Sequence, residues 1–532
     1  MLHSILIAAA LAGPRLDTVP LYTNLGSHHV PVTTAVPRAQ AYFDQGMRLT
    51  YGFNHAEAIR AFREAARLDS TCAMCYWGIA LAYGPHVNAG MDSAAGVAAW
   101  EALGRARQHA GRATPRERAL IEALGHRYAA VPPADRAALD SAYADAMGDV
   151  VRRYPADLDA ATLYAESLMD LSPWFYWTRE GNPRPHTPVI LRELERVLAR
   201  NPDHPGACHY YIHAVEAVEP SRAVNCAERL AALMPGAGHM VHMPGHIYIR
   251  VGRYLDAIRA NEHAVHSDMV YMEGQHPAMG VYPIGYVPHN YHFLSFASAM
   301  AGRSRDAIAA ARKLRETTSL DVVRQVPIAE PYVPYLFLAL TTFGRWEEVL
   351  AEPLPPADLS YSHGLARYAR GVAFAATGRR EAAGEELDAL RRTRGAVNPA
   401  YATAGWSTPA TVLEIAELAL QGEIELRTGE ADRAVAWFRQ AVALEDGLLY
   451  IEPPDWYYPL RHSLGAALLQ AGRAGEAEAV YRQDLKSFPA NGWSLFGLRQ
   501  SLAAQGKSTV ETDAALRGAW AQADIQLTGS RF

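Results

Sequence analysis

The stretch Gly252-Arg253-Tyr254-Leu255-Asp256-Ala257-Ile258 decides the reading of this chain, because it comes back. Gly302-Arg303-Ser304-Arg305-Asp306-Ala307-Ile308 repeats it, and Gly429 to Val435 keeps its outline. Two copies are weaker: Gly472 to Glu478 ends in Glu where the others have Ile or Val, and Gly378-Arg379-Arg380-Glu381-Ala382 keeps only the turn and a displaced Ala. Working backwards, Ala223-Val224 precedes Ala257-Ile258 by 34 residues. A glycine of this kind ends one helix, because it accepts the left-handed backbone that reverses the chain. The Ala-Ile pair then opens the apolar face of the next helix. Repetition at such a period reads as stacked helical hairpins, each with an apolar face that only its neighbours can cover.

The first repeat is legible as well. Gly46 lies in one helix, Asn54-His55-Ala56-Glu57-Ala58-Ile59 opens a second, and Cys75-Tyr76-Trp77-Gly78-Ile79 supplies the small and aromatic residues of a third. These motifs resemble the tetratricopeptide repeat, strongly over 39–84, 205–316 and 361–506 and weakly over 85–204. The resemblance implies an all-α, tetratricopeptide-like helical-hairpin solenoid, with an irregular helical segment and two loop insertions. The insertions are Trp174-Phe175-Tyr176-Trp177 with the Pro-rich run to Pro188, and Glu273 to Pro288. Either reads as a functional loop or as one that packs its own aromatics; Trp174, Trp177, Tyr282 and Tyr286 are its candidate binding residues. The divisions that follow are 1–12, 13–38 as an extension, 39–204, 205–317 with the insertion 273–288, and 318–532.

Bulk composition narrows the function. Half of the 532 residues are hydrophobic, 20% are charged, and the net charge is −6. Core material is ample, and no Lys/Arg block is present to grip nucleic acid or an anionic membrane. Residues 1–12, MLHSILIAAALA, read as a secretory signal with a small-residue cleavage site, or as a short N-terminal helix. The first reading implies export to a periplasmic or extracellular space, the second a cytoplasmic chain. No other apolar run reaches the roughly 20 residues of a membrane span. Neither a phosphate-binding glycine loop nor a dinucleotide fingerprint occurs, so no nucleotide cofactor is expected. The serine-hydrolase elbow and the His-Glu-x-x-His zinc motif are missing too.

Histidine carries the chemistry. There are twenty-one, crowded between His204 and His292. His239, His242 and His246 stand at i, i+3 and i+7, within about 60° on one helix face. The tetratricopeptide register implies that all three occupy positions facing the concave groove, with His289 and His292 at matching positions of the next repeat. His209 and His213, at i and i+4, lie beside that stripe. Cys72 and Cys75 take the corresponding positions of the early repeat, and are open to pairing with each other, to metal binding or to plain burial. Imidazoles at helical spacing chelate transition metals well. Met240 and Met243 lean the choice towards copper, ahead of zinc or iron. Pro244 lacks an amide proton and should distort the helix beside these histidines.

His242-Met243-Pro244-Gly245-His246, Pro288-His289-Asn290-Tyr291-His292, His29 to Thr34 and Cys72 to Gly78 together resemble a group of bacterial tetratricopeptide proteins. The resemblance implies a shared fold and a shared groove site, but no reaction. Two functions remain in view. One is a metal-binding solenoid, and through its metal an enzyme acting on a small organic substrate. The other is a non-catalytic scaffold that holds a partner protein or peptide in its groove.

Overall fold

The computed structural model describes residues 19–277, 280–397 and 407–532; the candidate signal at 1–12 lies outside them. Among the described residues the chain is all-α and tetratricopeptide-like, with two isolated bridges, His86 to Ala89 and Trp177 to Pro183, in place of any strand. No helix there is long and apolar enough to cross a membrane. Two compact units emerge: residues 19–247 with 263–282, and residues 248–262 with 283–532. They divide the chain inside the His-rich stretch, whereas the sequence suggested divisions at 204 and 317.

The first unit begins with α1 (Pro37–Tyr51), α2 (His55–Leu68) and α3 (Ala73–Ala82), packed in order. Asn54 caps α2 by accepting from the Glu57 amide, which satisfies one of the four donors a helix start leaves over. Phe62 of α2 holds the three together. A Cβ on Gly46 of α1 would stand 2.5 Å from its ring, and one on Gly78 of α3 also 2.5 Å. Each glycine is therefore a flat place into which the ring sinks. The weakly repetitive stretch 85–204 is helical too, with Ser93–His109, Pro115–Leu124, Ala137–Arg153, Leu158–Met169 and Thr187–Arg200.

Residues 19–36 run across this unit without a helix and are tied down by buried or half-buried carboxylates. Asp44 accepts from the Val30 amide at 3.0 Å and lies 2.8 Å from His29. Glu117 takes both the amide and the hydroxyl of Thr33 at 2.6 Å, and Asp69 takes the Thr34 hydroxyl at 2.6 Å. This is what the run His29 to Thr34 does in the fold.

The second unit repeats the hairpin: Val287–Met300 with Ser304–Thr317, Ser360–Ala376 with Arg380–Gly395, Pro409–Arg427 with Ala431–Glu445, and Arg461–Gln470 with Ala474–Ser487. The five turn glycines read from the sequence all have left-handed backbones, φ 78° at Gly252, 71° at Gly302, 77° at Gly378, 87° at Gly429 and 75° at Gly472. Gly344 and Gly506 do the same. The arginine after the turn earns its recurrence by pairing three residues on: Arg253 with Asp256, Arg303 with Asp306, Arg473 with Glu476. Residues 523–532 then lie along this unit as an extended segment. Asp524 accepts from the amides of Ser304 and Arg305, and Ser530 is buried between Tyr481 and the His462 carbonyl. Arg531 reaches Glu423 at 2.9 Å in an ion pair that is 11% and 1% exposed.

Candidate metal centre

Helix Pro205–Val215 carries His209 and His213 one turn apart. The stripe His239, His242, His246 does not sit on one straight helix. The backbone breaks at Met243, so that Gly238–His242 and Pro244–Arg250 are separate helices. Pro244 supplies the reason, because it has no amide proton for the next turn. The imidazoles are not a solvent-washed groove lining either, as the repeat register had implied. His209, His213, His239, His242 and His246 are exposed by 3% or less.

Within this core one ligand nitrogen from each of His209, His213 and His239 lies within 4.8 Å of the other two. The hydrogen bonds around two of them fix the tautomer. His209 Nδ1 stands 2.6 Å from the Tyr51 carbonyl oxygen, which can only accept, so Nδ1 carries the proton. His213 Nδ1 likewise donates to Glu216 Oε1 at 3.2 Å. Nε2 of both rings is left as a buried lone pair with no hydrogen-bond partner among the described residues. A carbonyl or carboxylate behind a histidine, with the far nitrogen free, is how proteins orient imidazoles towards a metal. Burial holds His209 and His239 well below the ordinary imidazole pKa, and His213 below it, so all three stay neutral. A metal requires that form. Burial pushes the Glu216 carboxyl up, but His246 and His213 outweigh it and keep it ionised.

Glu216 also contacts His246, whose Nδ1 lies 2.9 Å from Oε2. His246 Nε2 in turn lies 2.9 Å from His242 Nε2. These two imidazoles therefore adjoin the three-histidine set through the carboxylate. Phe53 closes the other side. Its ring stacks on His86 at 4.3 Å and lies 4.4 Å from His209, 5.5 Å from His239 and 6.1 Å from His213. Its backbone is left-handed, φ 55°, an unusual conformation for an aromatic residue. His55 lies 4.4 Å from His86, and burial takes its pKa down to about 4. Phe53, His86 and Glu216's role were not readable from spacing, since they come from three separate segments.

His289 and His292 belong to the second unit; His289 packs on Phe293 at 5.0 Å, and His292 on Tyr335 at 4.3 Å, where burial takes it down to about 3. Cys72 and Cys75 are bonded to each other, which removes both thiolates as metal ligands. The Trp174–Trp177 loop is not an exposed patch. Trp174 is half-buried with its ring 5.1 Å from His213, and Trp177 donates to the Ala214 carbonyl at 2.8 Å. Tyr282 and Tyr286 are buried, the former donating to Asp268 at 2.7 Å.

A second cluster escaped the sequence reading. His28 Nε2 and His204 Nε2 lie 2.9 Å and 3.3 Å from Asp159 Oδ1, and the Tyr51 hydroxyl donates to the same oxygen at 2.7 Å. Here the tautomer argument runs the other way. His204 Nδ1 accepts from the Ala207 amide at 3.1 Å, so its proton sits on Nε2 and no lone pair faces the cluster. In this arrangement His204 faces the cluster as a hydrogen-bond donor, unlike His209 and His213, although His28, Asp159 and His204 lie close enough to share an ion.

No protein-family model matches the chain, and no curated protein matches it. Among solved structures it superposes on a human IFIT1 dimer with m7Gppp-AAAA at 10% identity, covering 93% of this chain and 92% of that one, TM-score 0.30. The Cut9–Hcn1 hetero-tetramer of the APC/C gives 12% identity, 90% and 76% coverage and TM-score 0.30. Yeast Tom70 gives 11%, 92% of both chains and 0.27. Likenesses this loose carry no argument about ligand or activity.

Proposed function

We propose that this helical-repeat protein binds a transition metal through His209, His213 and His239. The observation that carries the reading is the pair of buried Nε2 lone pairs on His209 and His213, each set by an acceptor behind the ring. Imidazole-only donors suit copper, zinc or iron. Three protein ligands is the number found where a metal keeps a position for water or substrate. On that basis the metal would serve an enzyme acting on a small organic molecule, with Glu216 orienting His213.

Metal analysis by mass spectrometry on untagged protein tests this, beside the His209→Ala/His213→Ala double variant. One metal per chain, lost in the variant, is the expected result. Wild-type protein that takes up neither copper, zinc nor iron overturns it. The alternative is a non-catalytic scaffold for a protein or peptide, which the repeat fold itself favours; under it the variant changes neither metal content nor any turnover.

A further inference from the structure

The Asp159 cluster opens onto a cavity of about 880 Å³ in the first unit, lined by His28, Arg116, Tyr154, Leu158, Asp159 and Leu233 among others. Asp159 Oδ1 receives three donors, and burial of the carboxyl is outweighed by His204 and His28, which hold it ionised. An ionised carboxylate only accepts, so His28 Nε2 carries a proton, and in the neutral ring the lone pair is on Nδ1. Among the described residues Nδ1 of His28 has no hydrogen-bond partner, and it is not sealed from solvent. An oriented imidazole with a free nitrogen at a cavity wall is the arrangement of a general base.

The same wall offers donors for a developing negative charge. Asp157 caps helix Leu158–Met169 and takes the Ala160 amide at 3.0 Å. The Leu158 and Asp159 amides, in the first helical turn, donate to nothing among the described residues. Such amides, with the helix dipole behind them, stabilise oxyanions. The Tyr51 and Thr162 hydroxyls are committed, to Asp159 and to the Leu158 carbonyl. Water is taken as the nucleophile, with the Ser27 hydroxyl also in the cavity wall.

The geometry points to a second, metal-independent site in which His28 is the general base for hydrolysis of small carboxylic esters, with Asp159 positioning its ring. His28 Nδ1 takes a proton from water as the water oxygen attacks the ester carbonyl carbon. The oxyanion accepts from the Leu158 and Asp159 amides. The carbonyl re-forms as the bond to the alcohol oxygen breaks, and the imidazolium returns its proton to the departing alkoxide. Ester and water become acid and alcohol, and Asp159 remains a carboxylate throughout.

The test is turnover of p-nitrophenyl acetate by the full chain after dialysis against EDTA. Saturable turnover is expected. His28→Gln should lower kcat/KM by about 100-fold, the lower end of a general-base contribution. Asp159→Asn should lower kcat by about tenfold or more at unchanged KM, which a purely structural role would not produce. Leu158→Pro is the variant that leaves folding alone. Position 158 opens the helix, where proline is welcome, and Asp157 already has the extended backbone a following proline requires, φ −79° and ψ 104°. Losing that one amide should lower kcat by about 100-fold. No saturable turnover in the wild type, or wild-type kcat/KM in His28→Gln, overturns the proposal. Turnover lost on chelation or in His213→Ala overturns it too, and would assign the activity to the metal centre.

Discussion

His204 caps the helix that carries His209, five residues on, and the two have opposite tautomers because of what their Nδ1 atoms meet. One meets an amide and the other a carbonyl. That difference separates a histidine whose Nε2 donates from one whose Nε2 lone pair is left over, and no spacing rule in the sequence contains it. Spacing did point to His209, His213 and His239, since helical periodicity puts imidazoles on a common face. It overreached at Cys72 and Cys75, where the same register position closes a disulfide. Glu216→Gln should weaken metal binding by about 10- to 100-fold without abolishing it, the usual cost of losing a carboxylate behind a ligating histidine. A competition titration with a chromogenic chelator measures this. His55 gives a pH expectation. Its pKa is about 4 in the folded chain against an ordinary value near 6.5. Between those values the unfolded chain holds more protons, so stability is complete above about pH 6.5. It falls by about 1.4 kcal/mol per unit as the pH drops towards 4. Urea titrations of metal-free protein at pH 7 and pH 5, compared with His55→Gln, read the difference; an unchanged pH dependence in that variant counts against it.

At the scale of the element, two kinds of glycine have to be told apart. Gly46 and Gly78 are there for room, because the Phe62 ring fills the space a methyl would take. Gly465 and Gly497 clasp Tyr481 of helix Ala474–Ser487 in the same manner, with Cβ positions 2.2 Å and 2.1 Å from the ring. Gly378, Gly429 and Gly472 are there for backbone, with left-handed φ and open space where a Cβ would go. Gly429→Ala should therefore cost only the backbone term, about 1 kcal/mol. Gly78→Ala forces a packed aromatic aside and should cost about 1–3 kcal/mol, and Phe62→Ala about 3–5 kcal/mol. Chemical denaturation of the three variants ranks them, and equal losses for Gly78→Ala and Gly429→Ala would contradict the assignment. The hairpins were legible because turn and apolar pair recur together. Gly344-Arg345 and Gly506-Lys507 make the same turn but lack the Ala-Ile pair, so they passed unnoticed.

Over the whole molecule, the contacts that reading along the chain could not supply are those of long separation. Asp159 gathers His28, Tyr51 and His204 from three other parts of the first unit. In the second, Arg531 lies against Glu423 and over the Tyr458 ring at 5.4 Å. Residues 523–532 show neither helical periodicity nor a turn motif, and their place is decided only by what the repeats leave open. Removing one partner of a buried ion pair strands the other. Arg531→Ala should accordingly cost the second unit about 3–5 kcal/mol, and hydrogen exchange should rise in helix Arg461–Gln470, whose His462 carbonyl anchors Ser530. Unchanged protection there would mean that the segment is only laid on the surface.

Tyr51 has a further consequence. Its carbonyl oxygen sets the proton of His209, and its own hydroxyl ends on Asp159. Gly206 presses on its ring, where an added Cβ would come within 2.4 Å, so the residue has little freedom to give way. A shift of this one tyrosine is therefore felt at both ends. If a ligand in the cavity changes metal affinity by some factor, thermodynamic reciprocity requires the metal to change ligand affinity by the same factor. Were both proposed sites filled, Tyr51 would be the residue that each of them touches.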